Sequence, residues 1–228
     1  MTATATPSDT AAPAAQQLRI VIVGHVDHGK STFVGRLLAD TDSLPTGKME
    51  AIQASCKKRG VDFEYAFLMD ALQSERDQNI TIDTAQIWFK TAKRQYVIID
   101  APGHKEFIKN MVTGAAQADA AFLLIAANEG VQEQSRRHGT LLSLLGLKQV
   151  VVLVNKMDLA QYKQDVFDKI ETEYREFLAG LGVNPIAFLP MSAREGDNVA
   201  GASAKLGWFK GRTVLKQLDE FSAPLAEP

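Results

Sequence analysis

The sequence predicts an α/β fold with a mostly parallel β-sheet and helices on both of its faces. Short apolar runs, the first of them LRIVIV over residues 18–23, have the length and composition of buried strands. Amphipathic stretches follow these runs, and the stretch over 30–39 places Phe33, Leu37 and Leu38 on one helical face. Strands that alternate with helices pair in parallel, because each helix carries the chain back across the sheet. Ligands of such sheets bind beyond the carboxyl ends of the strands.

The same patterns place the remaining elements in order. We predict strands at 84–89, 96–99, 120–126, 150–154 and 186–189, and helices at 133–145, 166–181 and 214–221. The polar stretch 40–78 is expected to be helical in part, for example over 65–72. The predicted domain spans 18–221. Residues 1–17 are small, polar and proline-containing, which indicates a disordered leader, and 222–228 are interpreted as a linker or tail.

Composition narrows the function classes. Charged residues make up 23% of the 228 residues and the formal net charge is -2, so there is no broad basic field for nucleic-acid backbones. The single cysteine, Cys56, excludes a disulfide within the chain. Neither a membrane-spanning apolar run nor a secretion signal is visible in the sequence, so we expect a cytoplasmic location without membrane attachment.

Residues 24–31 read GHVDHGKS and match the phosphate-binding pattern G-x-x-x-x-G-K-[ST] between a strand and a helix. Its glycines let backbone amides approach phosphate oxygens, and the following helix start favours an anion. Lys30 is expected to reach the β- and γ-phosphates, and the Ser31 hydroxyl to ligate Mg²⁺. We expect His25 and His28 to act through their backbone more than through their rings. The predicted nucleotide contacts here are Gly24, His25, Val26, Asp27, His28, Gly29, Lys30, Ser31 and Thr32.

Residues 155–158 read NKMD and follow a predicted strand. The Asp158 carboxylate is expected to accept hydrogen bonds from N1–H and the exocyclic amine of guanine, a pair of donors that adenine lacks. Asn155 is expected to bridge to the phosphate loop, and the stem of Lys156 to lie along the base. Ser192 and Ala193 follow the last strand and fit a third base-facing segment. GTP and GDP are therefore the predicted ligands.

Residues 100–104 read DAPGH and supply the predicted chemistry. Asp100 ends a strand and is expected to hold Mg²⁺ directly or through water, and the Gly103 amide to lie near the γ-phosphate. His104 is the predicted catalytic residue, which orients the attacking water; the sequence leaves open whether it also takes the proton. The Thr81 hydroxyl is expected to complete the metal shell when GTP is bound. His138 is interpreted as structural.

The motifs GHVDHGKS, ITID, DAPGH, NKMD and SA, in this order, resemble those of the translation-factor GTPases over 18–221. The resemblance implies a P-loop NTPase G domain that hydrolyses GTP with Mg²⁺. It also implies that Val26 and Ile80 flank His104 as an apolar gate. Two positions depart from subfamily patterns: Asn79 replaces a usual glycine, and His28 is typical of elongation factors where many sulfate-activating relatives have aspartate.

Finer features divide between two subfamilies. The stretch DFEYAFLMDALQSERDQNITID resembles both elongation factor 1-alpha and the GTPase subunit of sulfate adenylyltransferase. The stretches QSRRHGTLLSLLGLKQVVVLVNKMDL, with Arg136 and Arg137, and SAREGDNV are more similar to the latter. The leading hypothesis is a GTPase that is coupled, through a catalytic partner subunit, to adenosine 5'-phosphosulfate synthesis. The alternatives are an elongation factor domain that delivers aminoacyl-tRNA to the ribosome, and a slow binding switch.

Overall fold

A central β-sheet organises the molecule, whose computed structural model describes residues 17–78, 86–99 and 118–222. Within these residues the sheet has six strands: β1 Gln17–Gly24, β2 Gln86–Lys90, β3 Gln95–Ile99, β4 Ala120–Ala126, β5 Val150–Asn155 and β6 Ala187–Pro190. Their order is β2-β3-β1-β4-β5-β6. All neighbours pair in parallel except β2, which is antiparallel to β3. The predicted mostly parallel α/β fold is confirmed.

Helices connect and cover these strands. They are α1 Lys30–Asp40, α2 Lys48–Arg59, α3 Ala66–Gln78, α4 Glu133–Leu144, α5 Gln164–Gly180 and α6 Val214–Leu218. The predicted helices over 30–39, 133–145 and 166–181 correspond to α1, α4 and α5. In the described part of the chain, no helix combines the length and apolarity needed to cross a bilayer.

Two apolar cores lie on opposite faces of the sheet because side chains alternate along each strand. In β1, Ile20 and Ile22 face the core that contains α1 and α6, whereas Val21 and Val23 face the core that contains α4 and α5. The central strands β4 and β5 are buried along their whole length. Burial on both faces explains why their sequences are continuous apolar runs rather than alternating ones.

The strand register brings the predicted site segments to one edge of the sheet. Gly24 at the end of β1 lies beside Leu124 of β4, and Asn155 at the end of β5 lies beside Ala126. Pro190 at the end of β6 lies beside Val154. The loops that follow β1, β5 and β6 therefore leave the sheet side by side, at its carboxyl edge.

Some boundaries differ from the predictions. β1 begins at Gln17, within the predicted leader, and β2 ends at Lys90 rather than at 89, whereas its predicted first residues, 84 and 85, lie outside the described residues. The closing helix was predicted to reach 221 but ends at Leu218. The reason is tertiary: the Asp219 carboxylate accepts hydrogen bonds from Thr91 and Tyr96, both at 2.7 Å, and the Arg94 guanidinium binds the carbonyl oxygen of Phe221 at 2.8 Å. These contacts fix the chain after α6 in a non-helical path.

A tight approach between α1 and the segment before α3 yields a stability prediction. A Cβ at Gly35 would lie 2.2 Å from the Tyr65 carbonyl oxygen, a backbone atom that cannot move aside. We therefore expect Gly35→Ala to lower the free energy of unfolding by about 1–3 kcal/mol. Gly180→Ala, at the end of α5 where nothing lies within 4 Å, is the matched control. It should be neutral or stabilising by up to ~1 kcal/mol. Urea denaturation measures both, and equal midpoints would contradict this packing.

Candidate nucleotide-binding site

The phosphate loop has a conformation that requires its two glycines. Gly29 has a left-handed backbone with φ of 86°, and a Cβ there would lie 2.6 Å from Nδ2 of Asn155. A Cβ at Gly24 would lie 2.9 Å from the carbonyl oxygen of Leu124. Between the two glycines, Val26–His28 form a single 3-10 turn. Any larger residue at either position would push the loop away from the sheet edge.

Lys30 closes the loop from the side of α1. Its ammonium group donates to the carbonyl oxygens of Gly24 at 2.6 Å and His25 at 2.9 Å. These bonds hold the positive charge over the loop, at the start of α1. Amides in the first turn of a helix have no acceptor within the helix, and they point outward along its axis. Positive charge and outward amides together form a site for an anion.

The ring of His28 makes a contact that the sequence did not predict. We expected this residue to act mainly through its backbone, and its carbonyl does bind Asn155, but its side chain is also fully buried, with 0% exposure. Nδ1 lies 3.0 Å from the carbonyl oxygen of Leu124, so it carries the proton because a carbonyl can only accept. Nε2 faces the Glu129 carboxylate at 3.5 Å. Through the hydrogen bond of Nδ1, the ring therefore anchors the phosphate loop to β4.

Asn155 connects the phosphate loop with both predicted base segments. Its side chain is 2% exposed, its Nδ2 donates to the carbonyl oxygen of His28 at 2.9 Å, and its Oδ1 accepts from the amide of Ala193 at 3.0 Å. The predicted bridge from Asn155 to the loop is therefore present. The donor and the acceptor of one buried side-chain amide are thus both paired, and each connects the end of β5 to a segment that is distant in the sequence.

The Asp158 carboxylate is partly exposed and held from one side. The Ser192 hydroxyl donates to its Oδ1 at 2.6 Å, which restrains that oxygen and leaves Oδ2 for other donors. The amide of Met157 donates to the carbonyl oxygen of Met191 at 3.1 Å, so the two segments are also joined through their backbones. Lys156 adopts a left-handed backbone with φ of 60° at this sharp turn.

Four predicted site residues, Thr81, Asp100, Gly103 and His104, lie outside the described residues, as do Asn79 and Ile80. Their assignments stay predictions. The described residues of the prediction, from the phosphate loop, NKMD and Ser192–Ala193, come together at one edge. Sequence analysis missed the anchoring role of the His28 ring and its partner, the Leu124 carbonyl. No local signal could reveal it, because the partner lies on another strand.

Comparison with known proteins identifies the family. The family model "Elongation factor Tu GTP binding domain" matches residues 15–224. The chain belongs to this family. It is thus a GTP-binding GTPase domain of the translation-factor superfamily, as the order of its motifs indicated.

Relatives of this GTPase domain have two different names. The chain is 45% identical over 207 residues to elongation factor 1-alpha of Thermococcus gammatolerans, covering 91% of this chain and 48% of that protein. It is 48% identical over 205 residues to sulfate adenylyltransferase subunit 1 of Aeromonas salmonicida, covering 89% and 44%. The chain therefore spans less than half the length of these relatives.

Solved structures support the same fold. The crystal structure of Sup35 complexed with GDP superposes with a TM-score of 0.64 at 26% identity, covering 92% of this chain and 46% of that one. The GTPase-like domain of Saccharomyces cerevisiae Ski7, bound to GTP, has a TM-score of 0.70 at 20% identity, covering 90% and 49%. The second similarity concerns the fold only.

His138 on α4 carries a pH prediction. Burial lowers its pKa from 6.5 to about 4, and the nearby Lys30 charge acts in the same direction. The unfolded chain takes up a proton as the pH falls through 6.5, whereas the folded chain stays neutral to about pH 4. The titration of His138 therefore leaves the free energy of unfolding unchanged above about pH 6.5. As the pH falls from about 6.5 to about 4, it lowers the free energy of unfolding progressively.

We expect His138→Gln to flatten the fall in melting temperature between about pH 7 and pH 5, because its side chain does not titrate. Burial also lowers the pKa of His28, so part of the pH dependence should persist in the variant. Differential scanning calorimetry at several pH values provides the measurement. Curves that run parallel for the variant and the wild type would contradict the prediction.

Proposed function

We propose that this domain binds GTP and GDP with Mg²⁺ and hydrolyses GTP. The observation that carries the proposal is the double hydrogen bond of Asn155, which unites the phosphate loop with both base-facing segments. One ligand with phosphates at the loop and a guanine at Asp158 uses all three segments. The triphosphate lies along the outward amides at the start of α1, with the Lys30 charge beside it.

Guanine recognition is assigned to the free side of the Asp158 carboxylate. Ser192 occupies its Oδ1 from within the protein, and the partly exposed carboxylate faces donors from a ligand. Guanine supplies N1–H and an exocyclic amine, and each donor finds a charged acceptor. With adenine the carboxylate would lose these partners, and this loss produces selectivity. The amide of Ala193 is already used by Asn155, so its part in recognition is to hold that side chain.

The residues at the loop fit a magnesium ion. Ser31 is exposed at the start of α1, next to Lys30, and presents a hydroxyl oxygen, a ligand type suited to this hard cation. Ser31, with Asp100 and Thr81 as further oxygen donors, would hold the metal together with phosphate oxygens. Magnesium bound there neutralises charge on the transferred phosphoryl group. In the proposed reaction His104 orients the attacking water and Gly103 donates its amide to the γ-phosphate.

The cellular role proposed first is the GTPase subunit of a sulfate adenylyltransferase. The 48% identity to subunit 1 of that enzyme supports it, together with the motif similarities in 134–159 and 192–199. On this proposal GTP hydrolysis helps to drive adenosine 5'-phosphosulfate synthesis on a catalytic partner subunit. Delivery of aminoacyl-tRNA is the second candidate, because elongation factor 1-alpha is similar at 45% identity.

Substitution of Asp158 tests guanine recognition. We expect Asp158→Asn to weaken GDP binding by about 10-fold or more, because an amide cannot accept from both guanine donors. Binding of xanthosine diphosphate should improve, because the new amide can donate to the oxygen that replaces the amine. Asp168→Asn, at an exposed aspartate on α5, is the matched control and should bind GDP like the wild type. Calorimetric titration measures these affinities, and an unchanged GDP affinity in Asp158→Asn would rule out the role.

Single-turnover GTP hydrolysis tests the chemistry and the partner in one experiment. We expect stimulation by the catalytic subunit of a sulfate adenylyltransferase and none by ribosomes with aminoacyl-tRNA. His104→Ala should keep its GTP affinity and lose about 10-fold or more in stimulated rate, because an orienting group acts in the transition state. Stimulation by ribosomes instead would assign the elongation role. A normal stimulated rate in His104→Ala would remove that residue from the catalytic assignment.

A further inference from the structure

A hydrogen-bonded cluster lies behind the base-facing segments, with Asp197 at its centre. The hydroxyl of Tyr162 donates to Oδ2 of Asp197 at 2.6 Å, and that of Ser203 donates to Oδ1 at 2.7 Å. The Lys205 ammonium lies 3.1 Å from Oδ2. Three donors from two segments thus converge on one carboxylate, in the loop region that follows β6.

The backbone of Asp197 connects this cluster to the base-recognising carboxylate. The amide of Ser192 donates to the carbonyl oxygen of Asp197 at 3.1 Å, and the Ser192 hydroxyl donates to Oδ1 of Asp158 at 2.6 Å. The amide of Gly196 returns to the carbonyl oxygen of Ser192 at 2.8 Å. The position of Asp197 therefore determines where the Ser192 hydroxyl meets Asp158.

Tyr162 connects the cluster to the other side of Asp158. Its amide donates to the carbonyl oxygen of Met157 at 2.8 Å, and the amide of Gln161 donates to the carbonyl oxygen of Asp158 at 3.1 Å. Gln161 and Tyr162 have φ of 54° and 55°, conformations that persist in residues with a side chain only when the surroundings hold them. Trp208 supplies one such restraint by donating to the Tyr162 carbonyl oxygen at 2.9 Å, and Asp197 supplies the other at the phenol.

The protonation states suit this arrangement. Burial would raise the pKa of Asp197, but the hydrogen bonds from Ser203, Tyr162 and Lys205 together lower it below its ordinary value. Burial and the hydrogen bond to Asp197 raise the pKa of Tyr162 to about 12. At neutral pH the carboxylate is thus an acceptor and the phenol a donor, which keeps the bond between them charge-assisted.

We propose that Asp197 and Tyr162 are positioning residues that set the preference of this site for guanine over hypoxanthine. Asp197 acts through Ser192, whose hydroxyl donates to the Asp158 carboxylate, and Tyr162 acts through the turn that carries Asp158. Because hypoxanthine lacks only the exocyclic amine, discrimination against it depends on the accurate placement of the Asp158 carboxylate. The inference rests on the proposed function, since that function assigns Asp158 to the base.

The chain offers a matched pair of tyrosines for the test. Tyr96 also donates its hydroxyl to an aspartate, Asp219, at 2.7 Å. It lies at the opposite end of the sheet, beside Leu18 near the start of β1. Tyr162→Phe and Tyr96→Phe therefore remove the same group with the same kind of partner, and only the first acts behind the base-facing segments.

The experiment measures dissociation constants for GDP and for inosine diphosphate, with the melting temperature of each variant. We expect the wild type to prefer GDP by about 10-fold or more, since one hydrogen bond to a charged group is lost with inosine diphosphate. Tyr162→Phe should reduce this preference at least about 3-fold, and Asp197→Asn more strongly, because the amide loses the charge and turns its NH2 toward either the phenol or the Ser203 hydroxyl. Tyr96→Phe should keep the wild-type preference, even where its melting temperature falls.

If Tyr162→Phe weakened the binding of GDP and of inosine diphosphate equally, the residue would have a general structural role, and the positioning proposal would be overturned. An unchanged preference for GDP in both Tyr162→Phe and Asp197→Asn would also overturn it. Failure of the proposed function is distinguishable from these results: the wild type would then bind neither diphosphate, or would bind both with equal affinity.

Discussion

The buried side-chain amide of Asn155 holds the three loops of this site in one arrangement. Its Nδ2 and Oδ1 are both paired, with the carbonyl of His28 and the amide of Ala193, and its position forbids a Cβ at Gly29. Loss of this amide would leave two backbone groups without their partner inside the protein, at roughly 1–3 kcal/mol each. The glycine of the phosphate loop and the end of β5 are therefore one structural unit.

Other interactions extend this unit to the rest of the sheet. The His28 ring attaches the loop to β4 through the Leu124 carbonyl, and Lys30 holds the carbonyls of Gly24 and His25 from α1. On the base side, Ser192 fixes one oxygen of Asp158. A site whose groups are already held in place loses less conformational entropy when a ligand binds, so more of the contact energy remains as affinity.

The sequence predicted much of this arrangement. Apolar runs located β1, β4 and β5 closely, because strands buried on both faces leave a strong local signal. The motif NKMD, placed after a strand, predicted the bridge from Asn155. The closing helix was predicted too long, because its end depends on Asp219 and its tertiary partners Thr91 and Tyr96 rather than on helical periodicity. The contact of the His28 ring was not predicted for the same kind of reason, since its partner Leu124 lies on another strand.

By itself the sequence determined the order of strands and helices, the phosphate loop and the motif for guanine, since each is a pattern within a short stretch of chain. Only the tertiary structure decided that the His28 ring is buried against Leu124 and that Asp197 receives the phenol of Tyr162. The physical reason is that such hydrogen bonds join residues far apart in the chain. Their geometry follows from strand register and from the path of the loops, and these arise only when the sheet is assembled.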